Sequence, residues 1–309
     1  MNHAPEAAAI TLSGVRKTFR QHVAVDALDL SVPRGSVYGF IGPNGSGKTT
    51  TLRMIMNILY PDRGDIRLFD QSLSPATADR IGYMPEERGL YKRMKVREFL
   101  TFFAGLKNAA DPRRGVDDWL ERLSLTEWAD RKIQTLSKGM SQKVQFIATV
   151  ASAPDLVILD EPFSGLDPVN TDVIRDAILE LQRRGCTVLF STHDMDMAEK
   201  MCDFICMIFN GRKVLDGTLS SIQNRYADDT IRVQTDRGAD VLEGLPGVAG
   251  VNDFGRMQEL RVTGDADPQH ILRLLLDRSS VRRFDIVKPS LHDIFVRIAG
   301  PESREDANA

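Results

Sequence analysis

The sequence GPNGSGKTT at residues 42–50 decides the fold, because it fits the pattern G-x-x-x-x-G-K-[ST] of a loop that cradles phosphate. The apolar segment VYGFIG, typical of a buried strand, leads into it, and TTLRMIMNIL follows with apolar residues at helical spacing. Glycines allow successive backbone N–H groups to turn toward one phosphate, and the following helix N-terminus adds its dipole. A glycine-rich turn that only ends a strand is the alternative, but both neighbouring elements favour a phosphate-binding loop.

Two side chains of this loop have predicted chemical roles. We expect Lys48 to reach the β- and γ-phosphates of a nucleotide. We expect Thr49 to give its hydroxyl to Mg²⁺. The loop therefore predicts a nucleotide and Mg²⁺ as bound cofactors.

A second motif, LVILDEP at residues 156–162, reads as a buried parallel strand followed by two carboxylates. Asp160 falls at the C-terminal end of this strand, where a doubly wound sheet places its ligand site, and can orient the Mg²⁺ shell. Glu161 can take a proton from the water that attacks a phosphate. An acidic strand end without a chemical role is the alternative, and the phosphate loop argues against it.

His193 follows the strand CTVLFS and opens the next predicted helix. A lone histidine in such a place more often caps a helix or lies in the core. Its position one strand further along the same sheet edge favours a contact with the γ-phosphate.

The order of predicted elements indicates an α/β fold with a second, smaller domain. Strands and helices alternate from LVILD to FICMIF, which predicts a mostly parallel core sheet. An N-terminal β part precedes this sheet, and a helical subdomain is predicted at about residues 95–153. The predicted divisions are a nucleotide-binding domain at 9–222, a linker at 223–229, an α+β domain at 230–299 and a disordered tail at 300–309.

Composition excludes several classes of protein. The 309 residues carry a net charge of −3, so there is no general basic footprint of the kind that nucleic-acid binders use. The three cysteines lack CxxC spacing. Cys202 and Cys206 are four residues apart, which could suit two metal ligands on one helix, but no His or third Cys follows nearby to complete a site. We therefore expect core thiols in a reducing compartment. No segment is apolar over the length that a membrane-spanning helix needs, and the N-terminus lacks a signal-peptide pattern. We expect a protein that is soluble, or bound to a membrane through a partner.

These motifs, in this order, resemble the ATP-binding cassette (ABC) ATPase family over about residues 9–222. GPNGSGKTT is similar to the Walker A loop and LVILDEP to the Walker B motif. LSKGMSQK, at residues 136–143, lies where the family has its signature, usually LSGGQ. SGLD, at residues 164–167, is similar to the D-loop, and His193 to the switch histidine. The resemblance implies a P-loop NTPase fold of the ABC type, with the N-terminal β part antiparallel.

The resemblance also implies roles for individual residues. For ATP binding in the chain's own site they are Phe19, Gly42, Pro43, Asn44, Gly45, Ser46, Gly47, Lys48, Thr49 and Thr50. For Mg²⁺ they are Thr49, Glu86 and Asp160. For catalysis they are Glu161, His193 and Lys48, and for the D-loop Ser164 and Asp167.

The signature implies that a second copy completes the site. In this family two cassettes pack head to tail, and each signature closes over the ATP held by the other chain's phosphate loop. Ser137, Lys138 and Gly139 are therefore expected to face the partner's ATP. A plain N-cap for a helix that begins near Ser141 is the simpler interpretation. Both can hold, because a cap with spare donors is also an anion site.

Four positions, in three parts of the sequence, depart from the family pattern. The signature has Lys138 and Met140 where Gly and Gln are usual, and we expect Lys138 to add positive charge near the partner's triphosphate, with a solvated lysine as the alternative. Glu86 stands in place of the Q-loop glutamine, and either side chain offers an oxygen to Mg²⁺. Phe19 stands where a tyrosine more commonly stacks on adenine, with a core phenylalanine as the alternative.

An EERGLY-type loop, an LSKGM-type signature and a C-terminal PSLHDIF are similar to one branch of the family, the single-cassette subunits of exporters. The resemblance implies an ATP-hydrolysing subunit that is cytoplasmic and peripheral on the inner face of the cell membrane. Its expected partners are integral membrane permease subunits and a second copy, or a related cassette. A soluble ABC ATPase acting on ribosomes or DNA is the rival, but the single cassette and mild acidity oppose it, and no nucleic-acid partner is expected. The sequence does not name the cargo.

Overall fold

The computed structural model describes residues 7–72, 74–87, 89–107, 111–226, 230–263 and 266–306. The chain divides into two compact units, Met1–Leu219 and Ser220–Ala309. The strands of the first unit are β1 (Ala8–Phe19), β2 (His22–Pro33), β3 (Val37–Ile41), β4 (Arg63–Leu68), β5 (Ile81–Met84), β6 (Leu156–Asp160), β7 (Thr187–Thr192), β8 (Phe204–Phe209) and β9 (Arg212–Gly217). Its helices are α1 (Lys48–Ile55), α2 (Pro75–Asp79), α3 (Val96–Leu106), α4 (Pro112–Arg122), α5 (Lys138–Val150), α6 (Pro168–Arg183) and α7 (Met195–Met201).

A six-stranded sheet with the order β5-β6-β7-β3-β8-β9 forms the centre of the first unit. All of its pairs are parallel except β8 with β9. Every residue of β3, β6 and β7 is buried, which explains why these strands read as continuous apolar runs. The predicted α/β fold with a mostly parallel core sheet is confirmed. Because β6, β7 and β3 are neighbours, their carboxyl ends meet at one edge of the sheet.

A three-stranded antiparallel sheet with the order β2-β1-β4 accounts for the predicted N-terminal β part. One hydrophobic cluster joins this sheet to α1 and to the core sheet, and it includes the buried Leu28, Leu52 and Phe40. Each such side chain contributes about 1.5–3 kcal/mol by leaving water. The cluster fixes α1, and with it the phosphate loop, against the two sheets.

Helices α3, α4 and α5 build the predicted helical region around a second cluster. Phe99 from α3, Trp119 from α4 and Phe146 from α5 are buried in it. The rings of Trp119 and Phe146 meet edge to face at 5.8 Å, a favourable aromatic geometry. Phe102 and Leu106 of α3 are exposed. This amphipathic helix therefore also carries apolar residues outside its buried face.

The second unit is a small α+β domain. Helix α8 (Leu219–Arg225) leads into β10 (Thr230–Thr235), β11 (Val248–Asp253), β12 (Gln258–Val262), α9 (Pro268–Arg278), β13 (Val281–Val287) and α10 (Leu291–Asp306). Its antiparallel sheet has the order β11-β12-β10-β13. Ile231, Leu260 and Leu275 lie in a core of its own. The predicted segments TIRVQT, VAGVND and VRRFDIV coincide with β10, β11 and β13.

The structure differs from the sequence predictions at three boundaries. Helix α8 continues to Arg225, into the segment predicted as a linker, and residues 227–229 of that segment lie outside the described residues. Helix α10 continues to Asp306, whereas we expected a disordered tail from residue 300. Glu and Arg are good helix formers, so a polar sequence does not stop a helix that has already formed. Helix α5 begins at Lys138 rather than near Ser141, because Ser137 caps it.

Cysteine burial agrees with the prediction of core thiols. All three cysteines are free, Cys186 and Cys206 are buried, and Cys202 is partly buried. Burial raises the pKa of Cys186 to about 12 and raises the pKa of the other two thiols as well. Among the described helices, none combines the length and the apolar character needed to cross a membrane.

Candidate functional site

The phosphate loop between β3 and α1 follows a path that only glycine permits at two positions. Gly42 has φ 154° and Gly47 has φ 105°, both in a region that other residues rarely adopt. A Cβ on Gly42 would collide with the carbonyl oxygen of Ile208. A Cβ on Gly47 would collide with the carbonyl oxygen of Ala24. The two glycines therefore hold the loop close against neighbouring backbone.

Lys48, the first residue of α1, folds its side chain back over this loop. Its Nζ donates to the carbonyl oxygens of Gly42 at 2.7 Å and Pro43 at 3.0 Å. It also lies 3.6 Å from Oε1 of Glu161. Burial lowers the pKa of Lys48, and the nearby carboxylates of Glu161 and Asp160 oppose that shift. The amine is thus a buried cation beside the loop, supported by carbonyls and one carboxylate.

One carboxylate oxygen of Asp160 accepts hydrogen bonds from two hydroxyl groups. Ser191 Oγ donates to Asp160 Oδ1 at 2.5 Å, and Thr49 Oγ1 donates to the same oxygen at 3.3 Å. The residue is buried, with 1% of its surface exposed. Its other oxygen, Oδ2, is buried without a hydrogen-bond partner among the described residues. A buried carboxylate oxygen without a donor is a natural ligand for a cation.

The residues fit a Mg²⁺ ion that is shared with nucleotide phosphates. No cluster of three or more His, Cys, Asp or Glu side chains in the described part of the chain could hold a metal alone. Mg²⁺ seldom needs such a cluster, since it usually takes one or two carboxylates together with substrate phosphates. The unpartnered Asp160 Oδ2 and the adjacent Thr49 hydroxyl supply hard oxygen ligands of this kind.

Glu161 lies buried beside Asp160 in an unusual backbone conformation. Its φ of +51° falls in the left-handed region, which is uncommon for a residue other than glycine. Its Oε2 lies 3.0 Å from Nδ1 of His193, whose side chain is 54% exposed. Its Oε1 has no hydrogen-bond partner among the described residues. Helix α7 begins at Met195 with Asp194 as its cap, so His193 lies in the preceding loop and not in the helix as predicted.

A cavity of about 350 Å³ brings nine of the predicted site residues together. Its lining includes the predicted Phe19, Asn44, Gly45, Gly47, Lys48, Thr49, Thr50, Glu86 and Glu161. It also includes His22 and Ala24, which the sequence did not single out. Gly42 and Pro43 lie behind it, with their carbonyl oxygens on Lys48. Phe19 is 43% exposed at this cavity, and so it is a ring at the surface and not the core phenylalanine of the alternative.

The segment that carries Glu86 is held by a side chain from α5. Gln145 is buried, and its Nε2 donates to the carbonyl oxygens of Pro85 at 2.8 Å and Glu87 at 3.3 Å. Glu86 itself is exposed and lines the cavity. Nothing in the sequence marks Gln145 for this role, because a glutamine inside an amphipathic helix has many possible partners.

The signature residues do not line this cavity, and they touch the D-loop of their own chain. Ser137 caps α5, accepting from the N–H of Met140 at 3.2 Å. The Lys138 amine lies directly against Gly165, where a Cβ would collide with it. The lining of this cavity therefore contains neither Ser137, Lys138 nor Gly139.

The D-loop residues are fixed at the start of α6. Asp167 caps this helix, accepting from the backbone N–H of Asn170 at 2.9 Å. The hydrogen bonds from Asn170 lower the pKa of Asp167. The N–H of Ser164 donates to the carbonyl oxygen of Glu161 at 3.1 Å. The D-loop is thus tied at one end to the residue that follows β6 and at the other to a helix cap.

Two sequence models match this chain. One, described as "ABC transporter", matches residues 25–164. The other, described as "ATP-binding protein DrrA1-3-like, C-terminal domain", matches residues 217–299. The two matches fall on the two units of the structure.

Whole-chain relatives cover both units. "Uncharacterized ABC transporter ATP-binding protein YhaQ" of Bacillus subtilis is 38% identical over 94% of this chain and 98% of its own length. "Nod factor export ATP-binding protein I" of Paraburkholderia xenovorans is 33% identical over 97% of this chain and 100% of its own length. A solved "ATP binding subunit of ABC transporter" superimposes with a TM-score of 0.66 at 28% identity, covering 71% of this chain and 93% of that one.

Proposed function

The chain belongs to the ABC transporter family as an ATP-binding subunit, and we propose that it hydrolyses ATP to energise export through separate membrane subunits. The observation that carries the proposal is the convergence of Lys48, Thr49, Asp160 and Glu161 at the carboxyl edge of three neighbouring strands. A cation for phosphate, two oxygen ligands for Mg²⁺ and a candidate base then lie together at this edge of the sheet, and Lys48, Thr49 and Glu161 line one cavity. Phosphoryl transfer requires this set of groups and little else.

In the proposed reaction, Lys48 exchanges its carbonyl acceptors for the β- and γ-phosphates. Thr49 and Asp160, with Glu86 as a further oxygen ligand, would hold Mg²⁺, which would supply positive charge to neutralise the phosphates. Glu161 accepts a proton from the attacking water. His193 Nδ1 lies 3.0 Å from Glu161 Oε2. It follows β7, the neighbour of β6 in the sheet, and is proposed to contact the γ-phosphate from that side. Phe19 stacks on the adenine.

Two copies are proposed to close over two ATP molecules. The signature lies outside the chain's own cavity, so its capped helix end is available to a second chain. Ser137 and the N–H of Gly139 then face the partner's γ-phosphate, at the positive end of the α5 dipole. ATP binding closes the dimer and hydrolysis reopens it. A pairing with a related cassette uses the same contacts.

Coupling to the permease is proposed to run through the region of residues 86–103. Its surface carries Tyr91 and Phe102, each at least half exposed, with Phe103 partly buried beside them. The rings of Phe102 and Phe103 are 5.5 Å apart, and those of Tyr91 and Phe103 are 6.1 Å apart. Contiguous exposed aromatic groups mark interaction sites. We call Tyr91, Phe102 and Phe103 the aromatic surface, and propose that it receives the membrane subunit at the inner face of the cell membrane.

Export is the proposed direction of transport, because the relative from Paraburkholderia xenovorans is named "Nod factor export ATP-binding protein I". The second unit, which matches a DrrA1-3-like C-terminal domain, is proposed to stabilise or regulate the dimer. The cargo is set by the membrane partner.

An ATPase assay of the purified full-length chain tests the proposal. We expect Mg²⁺-dependent release of phosphate, which Lys48→Ala abolishes. In cells, the wild-type chain should leave the membrane fraction when the genes for the adjacent membrane subunits are deleted. A chain that does not hydrolyse ATP, or that stays in the membrane fraction without those subunits, contradicts the proposal.

A further inference from the structure

Ser191 lies on β7, next to the end of β6 that carries the two acidic residues of the site. Its register partners are Asp160 on β6 and Phe40 on β3, so it occupies the central part of the sheet edge. The residue is fully buried, with 0% of its surface exposed. A buried hydroxyl must find hydrogen-bond partners within the protein.

The Ser191 hydroxyl makes one bond to each acidic residue. It donates to Asp160 Oδ1 at 2.5 Å and accepts from the backbone N–H of Glu161 at 3.1 Å. A serine hydroxyl has one donor and two acceptor lone pairs, so its single donor is committed to Asp160. Hydrogen bonds from a hydroxyl to an ionised carboxylate are short and stronger than neutral ones.

The hydrogen bond to Asp160 gives its two carboxylate oxygens different surroundings. Oδ1 takes the hydroxyls of Ser191 and Thr49, whereas Oδ2 is buried without a partner among the described residues. Anchoring one oxygen fixes the rotation of the carboxylate. The second oxygen is then kept as a free acceptor for a cation.

The bond to Glu161 supports a strained backbone. Glu161 has φ +51°, and its N–H also donates to the carbonyl oxygen of Ser191 at 3.2 Å. Both acceptors of this N–H therefore belong to one residue. Conformations of this kind persist only where the surroundings determine them.

We propose that Ser191 is a positioning residue, which orients the metal-binding carboxylate of Asp160 and the backbone of the base Glu161 through one hydroxyl. The inference rests on the proposed function and deepens it. Ser191 touches neither substrate nor metal in this account. It acts as the outer partner of a metal ligand, a type of residue whose loss lowers metal affinity or activity by roughly 10–100-fold.

The test compares Ser191→Ala with Thr187→Val in the full-length protein. Thr187 is a matched control because it lies on the same strand, is equally buried, and accepts through its hydroxyl from the N–H of Gly35 at 2.9 Å, away from the site. The readout is the affinity for a non-hydrolysable ATP analogue, measured with Mn²⁺ and again with EDTA. Thermal melting without nucleotide reports any loss of stability.

We expect Ser191→Ala to lower the Mn²⁺-dependent gain in affinity by roughly 10–100-fold while leaving the affinity in EDTA unchanged. Turnover at saturating ATP should also fall in Ser191→Ala. Ser191→Thr keeps the hydroxyl, so it should retain part of the Mn²⁺-dependent gain in affinity and part of the turnover. Thr187→Val should change neither affinity. If Ser191→Ala keeps the wild-type Mn²⁺-dependent gain, the inference is overturned. If the wild-type chain shows no such gain, the proposed function itself fails.

Discussion

At the scale of single residues, Lys138 contacts its own chain in a way that its place in the signature did not predict. The sequence led us to expect its charge near a partner's triphosphate. In the structure its amine lies on Gly165 of the D-loop. We therefore expect Lys138 to link the signature and the D-loop of one chain, so that both loops meet the partner as one surface.

A methyl group on Gly165 tests this contact. Gly165→Ala adds a side chain at φ +66°, where it collides with Lys138. The left-handed conformation alone costs about 1–2 kcal/mol for a residue other than glycine. Gly185→Ala is the matched control, since Gly185 has φ +89° and open space around it.

We expect Gly165→Ala to lower ATP turnover severalfold more than Gly185→Ala does, and the double variant Lys138→Gly/Gly165→Ala to recover part of the loss. ATPase rates of the wild-type chain, the single variants Lys138→Gly and Gly165→Ala, and the double variant form a double-mutant cycle that isolates the interaction. Equal rates for the two alanine variants would show that the contact is incidental.

Candidate site residues could be predicted where they belong to a short motif of recognisable spacing. Residues whose hydrogen-bond partners lie on other helices or strands could not be predicted from the sequence. Lys48, Asp160 and Glu161 follow from motifs that sit next to strand ends. Ser191 and Gln145 do not, because a serine in a strand or a glutamine in a helix acquires its role only from strand register and helix packing. The left-handed conformation of Glu161 was equally invisible, since nothing in LVILDEP marks it.

At the scale of elements, α5 organises three loops of the site. Its N-terminus is the signature, capped by Ser137. One turn along, Gln142 Nε2 donates to the carbonyl oxygen of Pro162, just after Glu161. Gln145 then holds the loop around Glu86. A shift of this helix therefore changes the signature, the candidate base Glu161 and the candidate coupling loop together.

Gln145→Met should loosen the loop around Glu86 while keeping the volume of the side chain. The carbonyl oxygens of Pro85 and Glu87 lose their donor, and an unpaired buried group costs about 1–3 kcal/mol. We expect faster hydrogen exchange at the Glu86 and Glu87 amides and a lower melting temperature. Gln142→Met is the matched comparison, and its exchange should rise around residues 161–164 instead. Unchanged exchange at Glu86 in Gln145→Met would contradict this assignment.

At the scale of the whole molecule, two units could be expected from the sequence because the pattern of apolar residues along the strands differs between them. Continuous apolar strands between helices marked the first unit, and alternating strands marked the second. The end of α10 and the end of α8 were harder to predict, since polar helix formers look alike inside and outside a helix.

Membrane attachment through the aromatic surface is testable at this scale. Phe102→Asp places a charge on a residue that is 50% exposed, so the fold and the ATPase activity of the purified chain should be unchanged. The chain should nevertheless be lost from the membrane fraction of cells that contain the permease. Tyr60→Asp, at a residue 70% exposed elsewhere on the first unit, should remain membrane-bound. Equal retention of both variants would place the permease contact elsewhere.

The central claim is that Glu161 is the base of an ATPase that works as a dimer, and Glu161→Gln tests it most directly. The amide keeps the size of the side chain but cannot take a proton, so turnover should fall by about 10²–10⁴-fold. ATP binding should persist, and with ATP the variant should sediment as a dimer. A variant that hydrolyses ATP at the wild-type rate would contradict the account.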